Sequence, residues 1–129
     1  MSEKAPCACG EAPKLIFACS GAADAGALAD QAARKMTRDG VGKMYCLAGL
    51  GGHLPGIIST TQKACKILAI DGCPLNCVHH TLEQAGFKDF LHLQLADLGL
   101  IKGQSPLTDE NIRRVTTPAT ELLAKGTTP

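Results

Sequence analysis

Short apolar runs and amphipathic stretches alternate along this chain. Residues 14–19 form a nearly continuous apolar run, the pattern of a strand covered on both faces. Ser20 and Gly21 stop it. From Asp24 to Arg38 the period becomes helical: Leu28, Ala29, Ala32, Ala33 and Met36 share one face, and Asp30, Gln31, Arg34 and Lys35 the other. Gly40 and Gly42 end that helix. Residues 43–48 read as a second strand, 49–56 as a glycine-rich loop containing Pro55, 57–64 as a short helix and 66–70 as a third strand. Pro74 suits the first turn of a helix that runs to about Ala85 and stops at Gly86. Residues 89–95 form a fourth strand, whose cleaner alternation marks an edge position or a partly open face. Thr108 is placed to cap a last helix reaching about Ala124, with Asp109 and Glu110 in its first turn. Pro118 predicts a kink there or two shorter helices.

This alternation predicts an α/β fold: a single domain with an open, mostly parallel sheet of about four strands and helices on both faces, Rossmann-like or flavodoxin-like. Residues 1–13 are broken by Pro6, Gly10 and Pro13 and read as a flexible tail carrying Cys7 and Cys9. Residues 14–129 then make up the single α/β domain.

Composition narrows the chemistry. The chain has 129 residues, 45% of them hydrophobic and 3% aromatic, so its core is aliphatic. A net charge of +1 and the scarcity of stacking rings argue against nucleic acid as a partner. No apolar run is long enough to span a membrane, and the start lacks a signal-peptide core, so the cytoplasm is the expected location. Seven cysteines in such a compartment point to metal binding or thiol chemistry before disulfides.

Cys19 and Cys46 fall toward the ends of the first two predicted strands. Cys73 falls just past the third, at the expected N-cap of a helix, and Cys77 one helical turn later. The C-terminal ends of the strands are where open α/β folds bind ligands. Four thiolates converging there suit a tetrahedral zinc site. Iron is the alternative metal for the same ligands. With no metal at all, helix N-termini pointing at the rim would lower the thiol pKa values and give a nucleophilic cluster suited to sulfur transfer or redox chemistry. The spacing leaves these readings open, because the Cys-x3-Cys pair at 73 and 77 is weak taken alone. It also leaves open whether the protein is an enzyme, and it names no protein partner.

Three segments carry a resemblance: Phe17-Ala-Cys-Ser-Gly-Ala-Ala-Asp24, Lys43-Met-Tyr-Cys-Leu-Ala-Gly-Leu-Gly-Gly52 and Ile70-Asp-Gly-Cys-Pro-Leu-Asn-Cys77. Together with Ala96-Asp-Leu-Gly99 and Lys102-Gly103, they resemble the DGC-domain family, named after its Asp-Gly-Cys motif. The likeness covers about Lys14 to Pro106. It implies zinc binding through four potential chelating cysteines, which match Cys19, Cys46, Cys73 and Cys77, and it implies no particular reaction.

Other residues have plainer roles. Cys65 reads as a small core residue, and Cys7 and Cys9 as accessory thiols. His53 reads as a solvent-facing loop residue and His92 as structural. His79 and His80 are adjacent on a helix, so one of them must point away from the thiols. Asp71 and Asp24 each either orient a group beside the metal or cap a turn, a cap being the plainer role for Asp24. The glycine-rich loop departs from both the dinucleotide fingerprint and the P-loop. Ala25, Gly52 and His79 stand six residues after Cys19, Cys46 and Cys73, where a cysteine phosphatase needs Arg.

Overall fold

A computed structural model describes residues 12–125. Strands β1 (Lys14–Ala18), β2 (Lys43–Met44), β3 (Lys66–Asp71) and β4 (Leu91–Gln94) form one four-stranded sheet in the order β2-β1-β3-β4. Every pairing is parallel. Helices α1 (Asp24–Arg38), α2 (Leu47–Gly51), α3 (Pro55–Gln62), α4 (Cys77–Gln84) and α5 (Asp109–Lys125) cover it. This is the open α/β fold expected from the sequence, with β4 at an edge. The chain leaves β1 toward β2 and then returns to place β3 on the other side of β1. Between β1 and β3 the connections diverge, and the crevice above that point is the usual ligand site of such sheets.

Alternation along the central strands builds two cores. Ile16, Ala18, Leu68 and Ile70 face α1 and α5, meeting Leu28, Met36, Val115 and Leu123. Leu15, Phe17, Ile67 and Ala69 face the opposite layer, meeting Leu50 from α2 and Val78 and Leu82 from α4. Each fully buried large side chain contributes about 1.5–3 kcal/mol of transfer free energy. The predicted apolar face of α1 is buried throughout. That helix ends on Gly40 at φ 77°, where the Val41 amide donates to the Met36 carbonyl at 3.0 Å and the Gly40 amide to Thr37 at 3.1 Å.

Several boundaries differ from the sequence reading. β2 spans two residues rather than six, and the segment expected as the end of that strand and the glycine loop coils into α2. Gly49 permits this, since a Cβ there would lie 2.8 Å from Ile57 Cγ1 of α3. Pro55 starts α3, two residues earlier than expected. Pro74 lies in a turn before α4 rather than in its first turn: the Asn76 amide donates to the Cys73 carbonyl at 3.1 Å, Asn76 takes a left-handed φ of 55°, and the helix begins at Cys77. Cys73 and Cys77 therefore do not share a helix face. Pro118 sits inside one continuous α5, anchored on both sides by the buried Val115, Ala119 and Leu123. Thr108 caps α5 as expected, its Oγ1 accepting the Asn111 amide at 3.1 Å.

Of the expected tail, only residues 12 and 13 are described; Cys7 and Cys9 lie outside the described residues. The Pro13 carbonyl accepts the Cys65 amide at 2.9 Å. Cys65 is half-buried and disulfide-bonded, a partnership the core reading did not foresee. No helix among the described residues is long and apolar enough to cross a membrane.

Candidate metal centre

The connections that follow β1, β2 and β3 each deliver a thiol at the C-terminal rim. Cys19 is the first residue past β1; its amide extends the pairing to the Ile70 carbonyl at 3.2 Å, and its Sγ accepts the Gly72 amide at 3.4 Å. Cys73 lies two residues past β3, and Cys77 opens α4. Cys46 lies two residues past β2 rather than within it and caps α2, its Sγ accepting the Gly49 amide at 3.2 Å. Cys19 and Cys73 are half-buried, and Cys46 and Cys77 are exposed.

The Asp-Gly-Cys triplet has a distinct physical role at each position. Asp71 ends β3 and is 1% exposed. Its carboxylate accepts the Val78 amide at 2.7 Å and the His79 amide at 3.1 Å, and His92 Nε2 lies 2.8 Å from it. Asp71 thus supplies the acceptor that the first turn of α4 lacks within the helix, and so fixes where Cys77 stands. The cap expected of Asp71 is present in this carboxylate, which also pairs with the ring of His92. Gly72 lets the β3 loop cross α1 at close range: a Cβ there would lie 2.7 Å from the Ala25 carbonyl carbon and oxygen. A Cβ on Gly26 would likewise meet Gly21 at 2.6 Å. Cys73 follows as the thiol.

Two neighbouring cavities share Cys19. One, of about 470 Å³, is lined by Cys19, Cys73 and Cys77 together with Gly21, Gly26, Leu75 and Lys102. The other, of about 580 Å³, is lined by Cys19 and Cys46 with Asp30, Arg34, Tyr45 and Thr81. His53, His79, His80 and His92 line neither. His53 is exposed in the turn after α2, as expected. The four cysteines do not form a group with all ligand atoms within 4.8 Å of one another; among the described residues, His79, His80 and Glu83 do. Strand order explains the spread. Neighbouring strands lie about 4.8 Å apart, so Cys46 and Cys73, on opposite sides of β1, start about two spacings apart.

The electrostatics correct one expectation. The Cys77 thiol is pushed up rather than down: desolvation is the largest cause, followed by the Asp71 carboxylate and the charges of Cys19 and Cys73, with Lys102 opposing. Burial first, and then the neighbouring negative groups, set the direction at this corner. Lys102 is held by a latch that sequence reading missed. Asp24 accepts the Gly103 amide at 2.7 Å and the Ser105 amide at 3.0 Å, besides Ala25 at 2.7 Å. These bonds, that of Gly103 foremost, lower the Asp24 pKa. At the other cavity Arg34 bonds Asp30 at 2.8 Å and Ser20 donates to Asp30 at 2.7 Å.

With this geometry established, comparison with known proteins gives a family. The DGC domain matches residues 15–118, and the chain belongs to the DGC-domain family. It is similar to the Anaerobic and virulence modulator AnvM of Pseudomonas aeruginosa, with 39% identity over 88 residues, covering 68% of this chain and 67% of that protein. No solved structure matches.

Proposed function

We propose that this DGC-family protein binds one zinc ion through Cys19, Cys46, Cys73 and Cys77, and that the ion joins three βα units at the rim. The observation that carries the reading is the shared position of Cys19, which lines one cavity with Cys46 and the other with Cys73 and Cys77. The donor set fits the ion. Two of the sulfurs already accept backbone amides, which stabilise thiolate, and the raised Cys77 pKa reflects burial first and then negative groups that a cation would relieve. Tetrahedral zinc with Zn–S bonds of roughly 2.3 Å needs sulfurs about 3.8 Å apart. Closing the set therefore draws Cys46 and α2 toward Cys19. Zinc supplies a redox-inert cross-link whose binding free energy adds to folding. A relative named as a modulator is in keeping with a regulatory rather than a metabolic role, exercised in the cytoplasm.

The test is metal content per chain, on protein purified without added metal or a metal-binding tag. About one zinc in the parent, lost in each single Cys→Ser variant of the four, is the expected result. Chelation should lower the melting temperature, and an unchanged melt after verified removal would contradict the cross-linking role.

The alternative, a thiol-based sulfur-transfer or redox protein, has one observation in its favour: exposed Cys46 accepts an amide at a helix start beside a cavity. A chain that holds no metal and has a single fast-reacting thiol at Cys46 would support it.

A further inference from the structure

The exposed side of α4 carries a second constellation that the thiol site does not use. His79 and Glu83 stand four residues apart and His80 and Glu83 three apart, so both imidazoles flank one carboxylate on the helix surface. Their Nδ1 atoms lie 3.5 and 3.9 Å from Glu83 Oε1, and the three ligand atoms lie within 4.8 Å of one another. Donors bound tetrahedrally at about 2.0–2.1 Å are separated by about 3.3 Å, so all three pairs must close somewhat, which rotation of the exposed His80 and Glu83 side chains allows.

We propose that His79, His80 and Glu83 form a second metal site, for a borderline divalent cation such as Zn2+, Ni2+ or Cu2+. Two imidazoles and one carboxylate suit these ions, whereas Ca2+ requires six or more oxygens. One ligand is held in place: the His79 ring packs against Phe90 at 5.2 Å and His92 at 5.1 Å between centroids, and its amide is bonded to Asp71. The other two are open to solvent, with side-chain exposures of 67% for His80 and 53% for Glu83. A cation there would keep water on its outer side and exchange readily. The site differs from the thiol centre in donor type, exposure and affinity, and it stands whether or not the cysteines hold zinc.

The experiment is a Zn2+ titration of the full chain after one equivalent has been added, read by competition with a chromophoric chelator and by the NMR signals of the histidine rings. A second equivalent should bind and shift the ring signals of His79 and His80. Losing even an outer partner of a ligand costs about 10–100-fold in affinity, so His80→Ala and Glu83→Gln should each weaken the second equivalent at least about tenfold. Both changes are on exposed side chains, and each variant's melting temperature checks that the fold is retained. Cys46→Ser should leave the histidine response intact, which separates failure of this site from failure of the thiol site. An unmoved histidine spectrum, or unchanged second-equivalent affinity in both His80→Ala and Glu83→Gln, would overturn the proposal and leave the three residues as surface ion pairs.

Discussion

Two corners of the same rim are built in opposite ways. At the corner of Cys19, Cys73 and Cys77, β1 and β3 pair over their whole common length, Gly26 and Gly72 bring loops and α1 to backbone contact, and a buried carboxylate caps α4. At the corner of Cys46, a two-residue edge strand leads into a five-residue helix. The first corner is fixed by backbone-close packing, whereas the second joins the sheet through only the register pairs Leu15↔Lys43 and Ile16↔Met44 and is held otherwise by Leu50 and Gly49 of the short α2. A ligand set spanning both would be rigid on one side and adjustable on the other, with the metal supplying the closure.

The largest effect is expected at the rigid corner. Asp71→Ala leaves the Val78 and His79 amides without their acceptor and should cost about 3 kcal/mol in urea unfolding of the metal-free chain. Gly72→Ala should cost about 2 kcal/mol, because the added Cβ meets α1 backbone rather than a movable side chain. Gly21→Ala is the control: open space surrounds its Cβ position, so the change should stay within about 0.5 kcal/mol. Cys46→Ser should likewise leave metal-free stability within about 0.5 kcal/mol while abolishing tight zinc binding, and a large loss of metal-free stability would show that the corner is not soft.

The smallest effect sharpens the role of the strap that carries Lys102. The folded pKa of Asp24 is lowered by the amides of Gly103 and Ser105, so its contribution is present above the unfolded value, about pH 4, and fades as pH falls through the lower folded value. The stability gap between the parent and Asp24→Asn should therefore be widest near neutrality and close on acidification below pH 4. A gap independent of pH would show that the carboxylate charge does not hold the strap.

The architecture was legible because its signals are periodic. Strands with apolar residues on both faces, and the Ala-rich face of α1, appear in the sequence as they do in the fold. What escaped was decided by contacts distant in sequence. β2 stops at Met44 because α2 coils against α3 through Gly49, and α4 starts at Cys77 because Asp71, six residues earlier, claims its amides. The Asp24 latch links residues about eighty apart and leaves no local pattern. The His79, His80 and Glu83 group, by contrast, was readable from helical spacing, since both histidines neighbour Glu83 on one surface. The cysteine positions place all four thiols at the rim, and the strand order distributes them over two cavities that meet at Cys19.

X-ray absorption at the zinc edge, on the chain loaded with one equivalent, tests the thiol centre most directly. A shell of four sulfurs at roughly 2.3 Å, reduced to three in Cys46→Ser, is the expected result. A shell dominated by nitrogen and oxygen would contradict it and assign the first zinc to other residues.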